Sequence, residues 1–228
     1  MTARIDHLVI AARSLDEGVG WCEATFGVVP GPGGTHPLMG THNRLLKIAS
    51  ADFPRAYLEI IAIDPAQKPA RTAAFHRWFD LDDPTLQAAL AREGPRLVHF
   101  VAEVPDADAT LHALARHRID RGRLLEASRD TPAGRLEWRI TVRDDGQRLF
   151  YGTLPTLIAW GAAHPTDSMA GSGVRLRSLA LSHPRAGDLE RALHDIGLAG
   201  VPVSTGAPHL RAVFDTPRGT VTLDSKGI

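Results

Sequence analysis

Apolar and polar positions along the chain fall into one order of elements that recurs three times. Ile5 to Ala12 (IDHLVIAA) reads as a buried strand rich in Ile, Val and Leu. Ser14 and Glu17 then have the form of a capping box, a hydroxyl followed three residues later by a carboxylate. Val19, Cys22 and Phe26 supply an apolar stripe at helical spacing, Trp21 lies beside it, and Gly27 supplies the stop. Strand-like segments follow at Arg44 to Ile48 and Tyr57 to Ile63. The second round opens at Leu97 to Glu103 and passes through Pro105-Asp106 into a helix carrying Leu111, Leu114 and Ala115. Strands at Leu124 to Ser128, Leu136 to Val142 and Thr156 to Trp160 complete it. The third opens at Leu176 to Leu181, continues in a helix capped by Asp188 and ended by Gly197, and closes with Leu210 to Phe214 and Thr220 to Asp224. Strand, helix, then two or three strands, three times over, predicts an α+β protein built from βαβββ-like units.

Composition narrows the function. Among 228 residues, Lys plus Arg and Asp plus Glu both number 26, so the formal charge is zero. That balance argues against a nucleic-acid binder, which normally carries a basic surplus, and gives no electrostatic hold on an anionic membrane. No apolar run approaches the roughly 20 residues that span a bilayer. The single cysteine, Cys22, permits no intrachain disulfide, and the N-terminal residues lack the form of a secretory signal. The expected location is the cytoplasm. No P-loop, CxxC pair, HExxH or GxSxG sequence occurs.

Three polar residues interrupt strands that are otherwise apolar: His7 in IDHLVI, Glu59 in YLEIIAI and His99 in LVHFVA. A carboxylate buried among Leu, Ile and Ala costs several kcal/mol unless something pairs with it. Imidazole and carboxylate from separate strands are the donors that hold first-row divalent metals. His7 and His99 occupy the same place in their repeats, whereas the third repeat has Ser178 there. A strand histidine is more ordinarily a hydrogen-bonded core residue, and a strand glutamate can simply face solvent.

The stretches IDHLVIAARSLDEGVGWCEATFGVVP, GGTHPLMGTHNRLL (Gly33 to Leu46), YLEIIAIDP, LEWRIT, LPTLIAW and His164-Pro165 together resemble the glyoxalase-like branch of the vicinal oxygen chelate superfamily. The resemblance covers roughly residues 4 to 165. It implies paired βαβββ modules, about 4–64 and 96–162, within a domain of residues 1–165. Their sheets would curl into a mixed-sheet barrel around a cavity, with a degenerate third βαββ-like unit over 174–228. In metal-using members four ligands come from the first and last strands of the two modules. By that resemblance His7, Glu59 and His99 match three ligands of a divalent ion of unknown identity. The fourth place falls on Ile158 or Ala159, which cannot ligate. His36, His42 and Asn43 in the loop are candidates to bind substrate or move a proton near neutral pH. Arg44 is a candidate partner for an anionic substrate, and Trp138 and Trp160 for an apolar one.

Two readings remain open. One is a metal-dependent lyase, isomerase or dioxygenase acting on a small oxygenated molecule. The other is a metal-free protein that binds and sequesters a small molecule in the same cavity. The third unit has three roles open to it: completing a sheet, covering the cavity or forming a homodimer contact.

Overall fold

A computed structural model describes residues 2–70 and 75–225. The first round is β1 (Arg4–Ala11), α1 (Leu15–Phe26), β2 (Thr35–His36), β3 (Thr41–Lys47) and β4 (Tyr57–Ile63). A short helix α2 (Pro84–Glu93) leads to the second: β5 (Arg96–Glu103), α3 (Ala107–Arg116), β6 (Arg123–Thr131), β7 (Gly134–Val142) and β8 (Thr156–Trp160). After the one-turn α4 (Pro165–Ser168) come β9 (Arg175–Ser182), α5 (Ala186–Asp195), β10 (Val203–Ser204), β11 (His209–Thr216) and β12 (Gly219–Asp224). Residues 226–228, which the third-unit assignment also included, lie outside the described residues. Among the described residues no helix is long and apolar enough to cross a membrane.

The helices start and stop for local reasons. The Ser14 hydroxyl accepts from the Glu17 N–H at 3.2 Å, and Gly27 closes α1 at φ 75°, a conformation that costs glycine little. Asp106 caps α3 by accepting from the Ala109 N–H. Helix α5 departs from the sequence expectation. It begins at Ala186, and Asp188 lies inside its first turn, paired with Arg185 and Arg191 rather than capping.

Two rounds share one eight-stranded sheet of order β2-β3-β4-β1-β5-β8-β7-β6. In each, the first strand runs parallel to the last (β1 with β4, β5 with β8), and the two rounds meet where β1 lies antiparallel to β5. This gives a mixed α+β sheet, curled into a half-barrel. Its central strands are apolar on both sides because both faces are covered. Leu8, Ile10, Leu58, Ile60 and Phe100 face the helices, while Val9, Ala11, Ile61, Val101 and Ile158 face the concave side.

The third round has the same order of elements but a different sheet, β10-β9-β11-β12, in which β9 is antiparallel to β11. It lies against the convex, helix-bearing face. Phe214 of β11 meets Phe26 of α1 edge-on at 5.2 Å, and both are fully buried. Burying each such side chain contributes about 1.5–3 kcal/mol. Main-chain bonds from Leu176 N–H to Ile48 O and from Ala3 N–H to Gly197 O stitch the unit to the first round. The unit thus covers the convex face: it forms a sheet of its own rather than completing the eight-stranded one, and it does not cover the concave-side cavity, whose walls come from the first two rounds and the segment between them.

Candidate active site

The site begins with an irregularity in β1. Ile5 pairs with Ala102 and His7 with Val101, so Asp6 is an extra residue with no partner on β5. A bulge of this kind breaks the alternation of a strand and lets consecutive side chains meet. His7 Nδ1 donates to Asp6 Oδ1 at 2.5 Å. Asp6 Oδ2 accepts from Trp160 Nε1 at 2.8 Å and from His164 Nε2 at 2.9 Å. Thr166 N–H donates to His164 Nδ1, which leaves the Nε2 proton for Asp6. Burial would raise the Asp6 carboxyl, but its bonds from His164 and His7 outweigh burial and hold it well below the usual carboxylate range.

The other end of the His7 ring faces Glu59 of β4, with Nε2 3.5 Å from Oε2. Glu59 Oε1 accepts from Asn43 Nδ2 at 2.6 Å. The Asn43 amide is oriented by its own oxygen, which accepts the Gly34 N–H at 2.8 Å. His36 extends the chain: its Nε2 lies 3.3 Å from Asn43 Nδ2, and its Nδ1 lies 3.0 Å from the Thr41 hydroxyl. Burial would lower His7, yet its bonds to Asp6 and Glu59 win and raise it to about 9. His7 is therefore a cation at neutral pH, held between two carboxylates. Burial would likewise raise Glu59, but His7 and Asn43 hold it below its ordinary value. His36 has no such partner, and burial takes it down to about 4. The Tyr57 ring stacks on His7 at 4.6 Å.

Above this floor lies a cavity of about 710 Å³ on the concave face, walled by Trp78, Trp138, Trp160, Leu38, Met39 and Ile140. Trp138 and Trp160 are cross-strand neighbours on β7 and β8, with ring centres 5.4 Å apart. His36, Trp78, Trp138, Ile140 and Trp160 also line a small inner pocket of about 40 Å³, which reaches His7, Asn43, Glu59 and Arg129. The arrangement is an aromatic-walled chamber with a carboxylate and an imidazolium at its base, a form typical of small-molecule sites.

The structure brings His7, Glu59, His36 and Asn43 together, with Trp138 and Trp160 as walls. It does not bring His99 to them. His99 Nδ1 donates to the Gly152 carbonyl at 2.9 Å, and its Nε2 accepts the Thr156 N–H at 3.1 Å. Burial, with Arg121 and Arg148 nearby, keeps its pKa well below the ordinary value, so it is neutral. His42 and Arg44 also lie elsewhere. They alternate with Thr41, Asn43 and Leu45 along β3, so when Asn43 and Leu45 face the inner pocket these two face away, and Arg44 is exposed. Asp6, Tyr57, Trp78, Arg129 and His164 belong to the site but were not singled out by sequence. The only signals were the acid beside His7 and the His164-Pro165 pair within the resemblance.

These residues do not fit the four-ligand metal set. Both nitrogens of His99 are committed to the protein, and β8, where the resemblance would put the fourth ligand, offers only the apolar Ile158 and Ala159 there. A different trio, Asp6, Glu103 and His164, has donor atoms within 4.8 Å of one another. There too the donors are engaged. Asp6 takes three N–H groups, His164 uses both nitrogens, and Glu103 pairs with Arg4 at 2.6 Å and Arg55 at 3.7 Å.

With the fold and this chamber, the protein is of the vicinal oxygen chelate class, two βαβββ modules curled around a concave site. The chain belongs to the glyoxalase-like domain family, whose model matches residues 5–197. No curated protein matches it in sequence. Among solved structures it is similar to a hypothetical protein from Staphylococcus aureus, at 13% identity over 98% of this chain and 85% of that one, with a TM-score of 0.59. It is also similar to Streptomyces coelicolor methylmalonyl-CoA epimerase in complex with 2-nitronate-propionyl-CoA (22% identity, 72% of this chain and 100% of that one, TM-score 0.42). The corresponding figures for methylmalonyl-CoA epimerase from Mycobacterium tuberculosis are 17%, 73%, 92% and 0.40. The likeness to the Staphylococcus protein is one of fold.

Proposed function

We propose that this protein is an enzyme that moves a proton at the carbon beside a carbonyl of a small oxygenated compound, as an isomerase or lyase does. The observation that carries this reading is Glu59: a buried carboxylate at the base of an aromatic-walled cavity, with one oxygen tied to Asn43 and the other 3.5 Å from His7 Nε2. That second oxygen is the base. The His7 imidazolium, held in place by Asp6, is the group to stabilise negative charge on the substrate oxygen as the proton leaves. Dioxygenase chemistry is less well supported, because the donors it would require of this chain are already engaged.

The test follows deuterium entry from D2O into the carbons flanking the carbonyl of 4-phenyl-2-butanone, read by NMR. Glu59→Gln preserves shape and should lower the enzyme-dependent rate by about 10²–10⁴-fold. Exchange by the variant at the wild-type rate would overturn the reading. The alternative, a metal-free binding protein, is favoured by the low basicity of Glu59. It predicts quenching of the cavity tryptophans by the probe with no deuterium entry in either protein.

A further inference from the structure

The chain of bonds from Asp6 to His36 leaves one charged group of the inner pocket unused. Arg129 stands on β6, one edge of the curled sheet, and the loop before β2, the other edge, comes up against it. A Cβ built on Gly34 would lie 2.3 Å from Arg129 Nη1. The curl thus brings the two edges together at this guanidinium, beside the pocket that holds His7 and Glu59. Arg129 Nη1 is buried and has no hydrogen-bond acceptor. Among the described residues no carboxylate pairs with Arg129, whereas the cavity's other arginines are spent, Arg135 on Glu137 at 3.1 Å and Arg139 on Asp108 at 2.8 Å. Trp78, also on the pocket wall, has a buried Nε1 without a partner.

Two unmet donors, one of them cationic, in a pocket otherwise satisfied call for a ligand rich in acceptors. A buried charged donor left without an acceptor carries a penalty that binding can relieve. A planar, two-oxygen anion matches the guanidinium fork. We infer that Arg129 is a carboxylate-binding residue, and that the substrate is a small 2-oxo carboxylic acid whose apolar remainder lies against Trp138 and Trp160. This rests on the reading that the cavity receives the substrate, and adds which end of the molecule goes to the floor.

Tryptophan fluorescence titrations with two probes test it: 4-phenyl-2-oxobutanoate, which has the carboxylate, and 4-phenyl-2-butanone, which lacks it. Wild-type protein should bind the acid more tightly. Arg129→Gln should weaken the acid by about 30-fold, the loss of a charged hydrogen bond, and leave the ketone unchanged. Gly34→Ala gives a second route that keeps the charge. Gly34 has an ordinary backbone, and its Cβ meets the far end of a flexible side chain, so the protein folds while the guanidinium is displaced. It too should weaken the acid selectively. Equal weakening of both probes, no change with either variant, or a wild-type protein that does not bind the acid would overturn the assignment. Deuterium exchange on the same samples separates the two proposals. Arg129-dependent binding of the acid without exchange retains this inference and removes Glu59 as a base. Exchange of both probes with no dependence on Arg129 does the reverse.

Discussion

Replacing Asp6 by Asn alters a carboxylate that is fully buried and receives N–H donors from His7, Trp160 and His164. The amide has one oxygen for these donors and turns its own NH2 toward others, so at least one buried donor faces another. The carboxylate also sets the charge of His7, whose rise from 6.5 to about 9 corresponds to about 3 kcal/mol, at ~1.36 kcal/mol per tenfold change. Asp6 and Glu59 share that sum, with Asp6 the closer at 2.5 Å against 3.5 Å. The raised pKa means that the native state holds a proton the unfolded chain releases. The stabilisation is therefore complete below pH 6.5 and disappears as pH rises through 9. Asp6→Asn should lose about 3 kcal/mol at pH 6, the cost of breaking a buried charge pair. It should also flatten the decline between pH 6.5 and 9, since burial then acts on His7 with less opposition. Urea unfolding of both proteins at pH 6, 7.5 and 9, with NMR titration of His7, measures each part. A variant within about 1 kcal/mol of wild type at pH 6, or a wild-type stability flat from pH 6.5 to 9, would refute the account.

On the acid side His36, lowered by burial to about 4, contributes stability present above pH 6.5 and lost as pH falls through 4. Thermal unfolding should thus show a maximum near pH 6.5, and a midpoint still rising toward pH 5 would contradict it. Exhaustive chelation should leave the thermal midpoint within about 2 °C and the exchange rate unchanged; loss of either, restored by manganese or zinc, would show that the engaged donors release for a metal. Gly33→Ala places a Cβ 2.1 Å from the Asn43 main-chain oxygen and should cost about 3 kcal/mol, whereas Gly34→Ala should cost less than about 1 kcal/mol. Equal midpoints for the two variants would contradict the packing described for this loop.

Much of the fold was legible because its signals are local. The capping serine at Ser14, the stripe ending at Phe26 and the apolar runs around His7 and His99 depend on spacings of a few residues, and the helices and strands follow them. Glu59 was legible as well, since a carboxylate in YLEIIAI demands a partner wherever the chain goes. The same locality misled at Asp188, where a capping residue type sits within the first turn of its helix and serves Arg185 and Arg191 instead.

What the chain alone determined was the order of elements, the membership of its two main rounds in one family fold, and the presence of buried polar residues that had to be paired. Tertiary structure decided the pairings. His99 looks like His7 in sequence, but Thr156, 57 residues away, donates its main-chain N–H to the ring and ends its use as a ligand. Asp6 joins His7 only because a bulge against β5 breaks the strand's alternation, and Arg129 enters the pocket only because the sheet curls until its edges meet. Hydrogen-bond donors and acceptors are matched across space, over separations that no periodicity in the sequence encodes.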